Sequence, residues 1–229
     1  MQTVLTPEHK TGIFIQELKN RFLCEVEIDG ESTVCYVPSS CHLSNFLDLK
    51  GKSVLLAPTQ SKNARTQFAL FAIPYKKNYI LLNTSMANRA VADSIKGRRF
   101  SFLGRRGTIY TEHYVGGYKS DIYIQDTNTI IEVKSVLSTE KCALFPTVFS
   151  ERALKQLEKL RDLLSLGYRV HYSVISLNPY VSSIYFVSDA QFTPLLKSCI
   201  DLGMTISAFS CRIDDNRVYI DKRLQILLP

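Results

Sequence analysis

The chain of 229 residues has no tryptophan, no Cys-x-x-Cys pair, and no apolar run approaching the roughly 20 residues that a membrane-spanning helix needs. Six cysteines stand singly at 24, 35, 41, 142, 199 and 211, and four histidines are scattered at 9, 42, 113 and 171. This spacing argues against a disulfide framework. It also argues against a structural zinc site, for which Cys35, Cys41 and His42 come nearest to a ligand set. Buried thiols are expected instead. The chain opens without the charged head and apolar stretch of a secretory signal, so a cytoplasmic protein with no membrane partner is expected. Internal repeats and low-complexity segments are also missing, which removes solenoids and disordered tails.

What remains is an ordinary globular composition, 45% hydrophobic and 21% charged, with a formal charge of +7. The length allows one large domain or two small ones. The positive excess is uneven. Residues 1–85 carry a net +2 and residues 86–229 a net +5, and the stretch 89–106 alone holds six bases and one acid. A basic patch of this kind permits nucleic acid as a partner without requiring it.

The first third reads as short strands at 13–18, 22–28, 32–37, 54–57, 67–73 and 79–82, with Asp29-Gly30 as a hairpin turn and a helical turn near 43–49. So many short strands in about 80 residues point to a small closed or half-closed barrel, of which the OB-like barrel is the best-known form. Residues 83–96 have helical composition with Asn83, Thr84 or Ser85 as cap, and the boundary between a domain 1–85 and a domain 86–229 is placed there. Strands follow at 108–115, 120–125 and 129–136. Ser150 then caps an amphipathic helix with Leu154, Leu157, Leu160 and Leu164 on one face and Gly167 as its stop. Strands at 169–177 and 183–187, a helix ending at Leu202, and strands at 204–211 and 217–224 complete an α/β pattern with a central mixed sheet flanked by helices.

Chemistry concentrates in Glu112-x8-Asp121-x10-Glu132-Val133-Lys134. Side chains alternate along a strand, so Glu132 and Lys134 share a face, and a hairpin turning at 126–128 brings Asp121 beside Glu132. Two carboxylates and an amine then converge inside apolar strands, where isolated charges are costly unless paired or metal-bound. Mg²⁺ (or Mn²⁺) suits such a site, with Asp121, Glu132 and the Val133 carbonyl as ligands and Glu112 as a second or outer ligand. Lys134 would orient the attacking water or neutralise charge on a phosphate. The alternative for each of these residues is a wet hairpin face with alternating charges. For nucleic acid, the candidates are Lys62 and Arg65 on the barrel, Arg105 and Arg106 between Gly104 and Gly107, Lys119, and Arg152 with Gln156 on the following helix. Tyr110, Tyr114 and Tyr118 could stack bases, though strand tyrosines more often pack across strands.

Several segments taken together resemble the sugar fermentation stimulation protein A family: RFLCEVE at 21–27, YVP at 36–38, LLNTSMAN at 81–88, Glu112 with Asp121, IEVKS at 131–135, Phe145-Pro146, and SER at 150–152 with Leu157. The resemblance implies an OB-like N-terminal domain joined to a domain of the PD-(D/E)XK nuclease fold. It also implies DNA binding and a role in regulating sugar (maltose) metabolism. Asp121, Glu132 and Lys134 match the family's nuclease-like signature, and Glu112 its upstream acid. The surroundings depart from the family pattern. Ser39-Ser40-Cys41-His42 replaces a stretch resembling Asn-Thr-Gly-Arg, Tyr118-Lys119 replaces Ser-Arg, Thr147 replaces an acid, and Gln156 replaces a histidine. Three functions from different classes are therefore carried forward: a DNA-binding protein on a nuclease scaffold, a divalent-metal-dependent nuclease acting on DNA or RNA, and a barrel that binds a small ligand or protein. The sequence leaves a homodimer open.

Overall fold

The computed structural model describes residues 9–39, 42–59, 63–148, 150–214 and 217–229. Six strands come first: β1 (Lys10–Glu17), β2 (Leu23–Ile28), β3 (Glu31–Tyr36), β4 (Ser53–Pro58), β5 (Phe68–Tyr75) and β6 (Asn78–Leu81). They form a sheet in the order β3-β2-β1-β4-β5-β6, and a parallel pairing of Tyr36 with Ala69 joins β3 to β5 and closes β1–β5 into a barrel. This is the expected OB-like barrel. Asp29 and Gly30 both take positive φ, 54° and 85°, as a two-residue hairpin turn requires. At Gly12 β1 lies close against β2: a Cβ there would lie 2.5 Å from Val26 Cγ1 and 2.8 Å from the Glu27 carbonyl oxygen. That approach needs a residue without a side chain at that point.

The rest of the chain runs α1 (Thr84–Ser94), a 3₁₀ stretch at Arg98–Leu103, β7 (Ile109–Val115), β8 (Tyr118–Ile124), β9 (Thr129–Val136), β10 (Cys142–Phe145), α2 (Glu151–Ser165), β11 (Arg169–Ser176), β12 (Ser183–Phe186), α3 (Phe192–Asp201), β13 (Thr205–Asp214), β14 (Arg217–Arg223) and β15 (Gln225–Leu227). The caps are those the sequence indicates. The Asn83 side chain accepts from the Ser85 N–H, and that of Ser150 from the Ala153 N–H. The central sheet has the order β14-β13-β11-β9-β8-β7, with β9, β11 and β13 parallel and the flanking strands antiparallel. A second, three-stranded parallel sheet, β10-β12-β15, is not among the expected elements. It takes residues 183–186 out of the central sheet. Strands of three or four residues are too short to show an alternation.

Two hydrophobic cores lie on opposite faces of the central sheet. One holds Leu157, Leu160, Val170, Phe186 and Leu196, contributed by α2, α3, the small sheet and the adjacent sheet face. The other runs from the barrel (Val26, Leu56, Phe71) through α1 (Ala87, Val91) to Ile131, Val133, Phe209 and Ile220 on the opposite sheet face. The barrel and the sheet domain thus share a continuous core, and the Leu81 N–H donates to the Leu177 carbonyl at 3.0 Å across their junction. Cys24, Cys35, Cys199 and Cys211 are buried free thiols, whereas Cys142 is exposed, contrary to expectation. Cys41 lies outside the described residues. Among the described residues no helix is long and apolar enough to cross a membrane.

Candidate active site

The site forms where β8 leaves β9. The strands pair at residues 122–124 with 129–131 and then part, which frees the edge of β9 beyond Ile131. Asp121 fills the gap. Its Oδ2 accepts from the Val133 N–H at 2.7 Å, and its Oδ1 from Asn88 Nδ2 of α1 at 3.1 Å. A strand residue presents its N–H and C=O to the same edge, so the Val133 carbonyl also faces this gap.

Glu132, on the α2 side of the sheet and only 2% exposed, has both oxygens engaged. Oε1 accepts from Lys134 Nζ at 2.6 Å and Oε2 from the Tyr118 hydroxyl at 2.5 Å. Lys134 Nζ also donates to Gln156 Oε1 of α2 at 2.6 Å. Asp121, Glu132 and Lys134 are thus brought together as expected, and Gln156, expected as a nucleic-acid contact, meets Lys134 here. Tyr118 comes from a hairpin, β7–β8, whose tip lies against α2. Gly116 at φ +56° sits so close to Leu163 that a Cβ would fall 2.4 Å from its Cδ2. That contact holds Tyr118 over Glu132.

The electrostatics of the cluster are unbalanced. Asp121 and Glu132 face one ammonium, already bound to Glu132. Burial first, and then the neighbouring Glu132 charge, push the Asp121 carboxyl up to about 7 despite the Val133 N–H and Lys134. Burial and the same carboxylates raise the Tyr118 and Tyr172 phenols, so both stay protonated donors. Tyr172 pairs with Glu132 across β11–β9, and its hydroxyl is buried with no hydrogen-bond partner among the described residues. Among the described residues no group of three or more His, Cys, Asp or Glu side chains gathers to hold a metal. A cation here would have two carboxylates, a carbonyl and water. That donor set fits Mg²⁺ or Mn²⁺, which keep several waters, and a divalent charge would offset the uncompensated carboxylate.

The remaining candidates divide. Glu112, expected as a second or outer ligand, stands at the rim of the cluster, where its charge still acts on Asp121. Its backbone is left-handed (φ 53°) on the edge strand, and its carboxylate is 61% exposed and ion-paired with Lys119. Solvent and Lys119 satisfy it at less cost than burial beside a second carboxylate. Arg106 is also not free: its Nη1 donates to the Ile95 and Gly97 carbonyls at 3.0 Å, closing the C-terminal end of α1. Arg105 is 84% exposed beside Asp126 at 3.5 Å. Arg65 is exposed on the loop between β4 and β5, and Lys62 lies outside the described residues. Arg152 is exposed on α2 next to Gln156. Sequence reasoning misses the roles of Asn88 and Tyr118. Asn88 sits in the quoted LLNTSMAN segment, but only the approach of α1 to β8 shows what it holds.

Comparison with known proteins identifies the family. The model described as "Sugar fermentation stimulation protein RE domain" matches residues 85–217, and that described as "SfsA N-terminal OB domain" matches residues 18–82. The chain belongs to the sugar fermentation stimulation protein family. A family homologue of Caldanaerobacter subterraneus is 33% identical over 226 residues, covering 95% of this chain and 96% of its own. One of Ruminiclostridium cellulolyticum is 27% identical, covering 96% and 97%. The solved structure of Pyrococcus furiosus SfsA in complex with Ca²⁺ superposes with a TM-score of 0.85 at 21% identity, over 99% of each chain. At that identity the likeness shows the shared fold.

Proposed function

We propose that this protein binds nucleic acid, DNA in the first instance, and hydrolyses its phosphodiester bonds with Mg²⁺ or Mn²⁺ held by Asp121 and Glu132. The observation that carries this reading is the buried, undercompensated Asp121–Glu132 pair bridged to α2 through Lys134 and Gln156. A packed core without a ligand to bind has no use for two carboxylates sharing one ammonium. The Ca²⁺ in the Pyrococcus furiosus relative supports a hard-cation site in this fold.

When bound, the cation would polarise the phosphodiester and acidify a coordinated water. The chain's own groups divide the remaining work. Asn88 and the Val133 N–H fix the Asp121 carboxylate, leaving lone pairs for a ligand. Tyr118 and Lys134 orient Glu132. The Lys134 ammonium, shared between Glu132 and Gln156, is placed to hold a water or to neutralise charge gathering on a phosphate oxygen.

A second reading is a DNA-binding regulator of sugar metabolism that does not cut. It is favoured by the family name, which describes a sugar phenotype, and by the engagement of Lys134 with two acceptors. A cleavage time course separates the readings. Plasmid, single-stranded DNA and RNA are incubated with Mg²⁺, with Mn²⁺ or with EDTA, beside an identically purified Asp121→Ala variant. Metal-dependent cutting that the variant lacks establishes the nuclease. No cutting, with DNA retained at low salt, leaves the regulator.

A further inference from the structure

Next to the cluster, α2 walls an open groove of about 540 Å³ lined by Tyr118, Glu151, Arg152, Lys155, Gln156 and Lys159. At about 100° per residue, Arg152, Lys155, Gln156 and Lys159 fall within one arc of roughly 100° on the helix. Arg152, Lys155 and Lys159 are exposed, and among the described residues none of them makes an ion pair; the charged pair within α2 is Arg161 with Asp162. Like charges three and four residues apart repel on an isolated helix. Their alignment along a groove therefore indicates an anionic occupant. Two groove residues reach the buried cluster directly: Gln156 accepts from Lys134, and Tyr118 donates to Glu132. The cationic rim and the carboxylate site are thus two parts of one surface.

We propose that Arg152, Lys155 and Lys159 form the track that seats the nucleic-acid backbone and delivers a phosphate to the Asp121–Glu132 site. The inference rests on the nucleic-acid reading above and adds Lys155 and Lys159 to it. From Arg152 to Lys159 the helix rises about 10 Å, close to the axial span of three nucleotides on one strand of B-form DNA. An acidic peptide would also meet the cations, but it would make no use of the link from Gln156 and Tyr118 to a phosphodiester site.

The test is the salt dependence of DNA binding, read by fluorescence anisotropy on a short duplex in EDTA. Cleavage plays no part in that readout, so failure of the nuclease reading leaves this result to be judged separately. Each phosphate contact contributes about 0.9 to the slope of log affinity against log salt. The Arg152→Gln/Lys155→Gln/Lys159→Gln variant is expected to lose about 2.7 from that slope. An equal charge change on the barrel, Arg21→Gln/Lys50→Gln/Lys52→Gln, is expected to leave it nearly intact. If the triple variant does not fold, Arg152→Gln and Lys159→Gln singly should each remove about one unit. Equal slopes in wild type and α2 variant, an equal loss in the barrel variant, or tighter binding of poly-glutamate than of DNA would overturn the proposal.

Discussion

His171 and Tyr172 are neighbours on β11, and they point to opposite faces of the same sheet. On the barrel side, His171 is 1% exposed, and both ring nitrogens have hydroxyl partners: Nδ1 with Thr205 Oγ1 and Nε2 with Ser207 Oγ, each at 2.8 Å. Burial, aided by the Arg223 charge, lowers its pKa to about 4, so the ring is neutral at pH 7. On the α2 side, Tyr172 lies beside Glu132 and Asp121, its hydroxyl unpartnered among the described residues and the carboxylates short of a cation. One cluster is neutral, closed and satisfied. The other is charged, unbalanced and open to a groove. Burial alone therefore does not distinguish a structural polar cluster from a functional one; the balance of charge and the unused valences do.

Mutation separates the two clusters most clearly. Asp121→Asn should lower metal-dependent cleavage at least about 10²-fold while leaving the protein as stable as wild type or more so. His171→Ala should do the reverse. It costs about 2–4 kcal/mol in urea unfolding, from the cavity and the stranded Thr205 and Ser207 hydroxyls, with unchanged cleavage per folded molecule.

The pH dependence of stability in EDTA tests the same contrast, because the two groups act with opposite sign. Asp121 binds its proton more tightly folded than unfolded, so its contribution falls as pH rises from about 4 to about 7. His171 binds its proton less tightly folded, so its contribution falls as pH drops from 6.5 towards about 4. Each window is worth roughly 3–4 kcal/mol. Wild type should therefore be nearly flat between pH 4 and 6.5 as far as these two groups decide it. Asp121→Asn should expose the acid limb and His171→Asn the alkaline one, both read by denaturant unfolding at stepped pH.

Gly116→Ala tests whether the hairpin tip holds the charged cluster together. A left-handed residue driven into Leu163 should cost about 1–3 kcal/mol and lower cleavage with it, whereas an equal loss of stability with full cleavage would detach the hairpin from the site. The smallest effect is expected from Tyr118→Phe. Loss of the donor to Glu132 should weaken Mn²⁺ affinity about tenfold by calorimetry, with the fold retained.

Elements with a local signal are legible in the sequence. The leucine stripe at 154–164 appears as α2, with Leu157, Leu160 and Leu164 buried. Alternation at 129–136 appears as β9, with Glu132 and Lys134 on one face. Hairpin logic places Asp121 beside Glu132, and the structure brings the two together. What is not legible depends on partners distant in the chain. Nothing near Arg106 says that its guanidinium will close α1. Nothing near Glu112 says that a left-handed turn of backbone will hand it to Lys119.

Local sequence is enough to dictate the periodic elements, the order of a barrel followed by a mixed sheet, and the presence of two carboxylates and a lysine on adjacent strands. Those follow from side-chain alternation, helix periodicity and turn chemistry, all of which act within a few residues. Long-range packing alone sets the parting of β8 from β9 beyond the Ile122–Ile131 pair, the seating of the hairpin tip on α2, and the core that barrel and sheet share. It also makes His171 silent and pushes the Asp121 carboxyl up to about 7. Desolvation and unpaired charge are set by which distant surfaces exclude water, and no window of sequence contains that information.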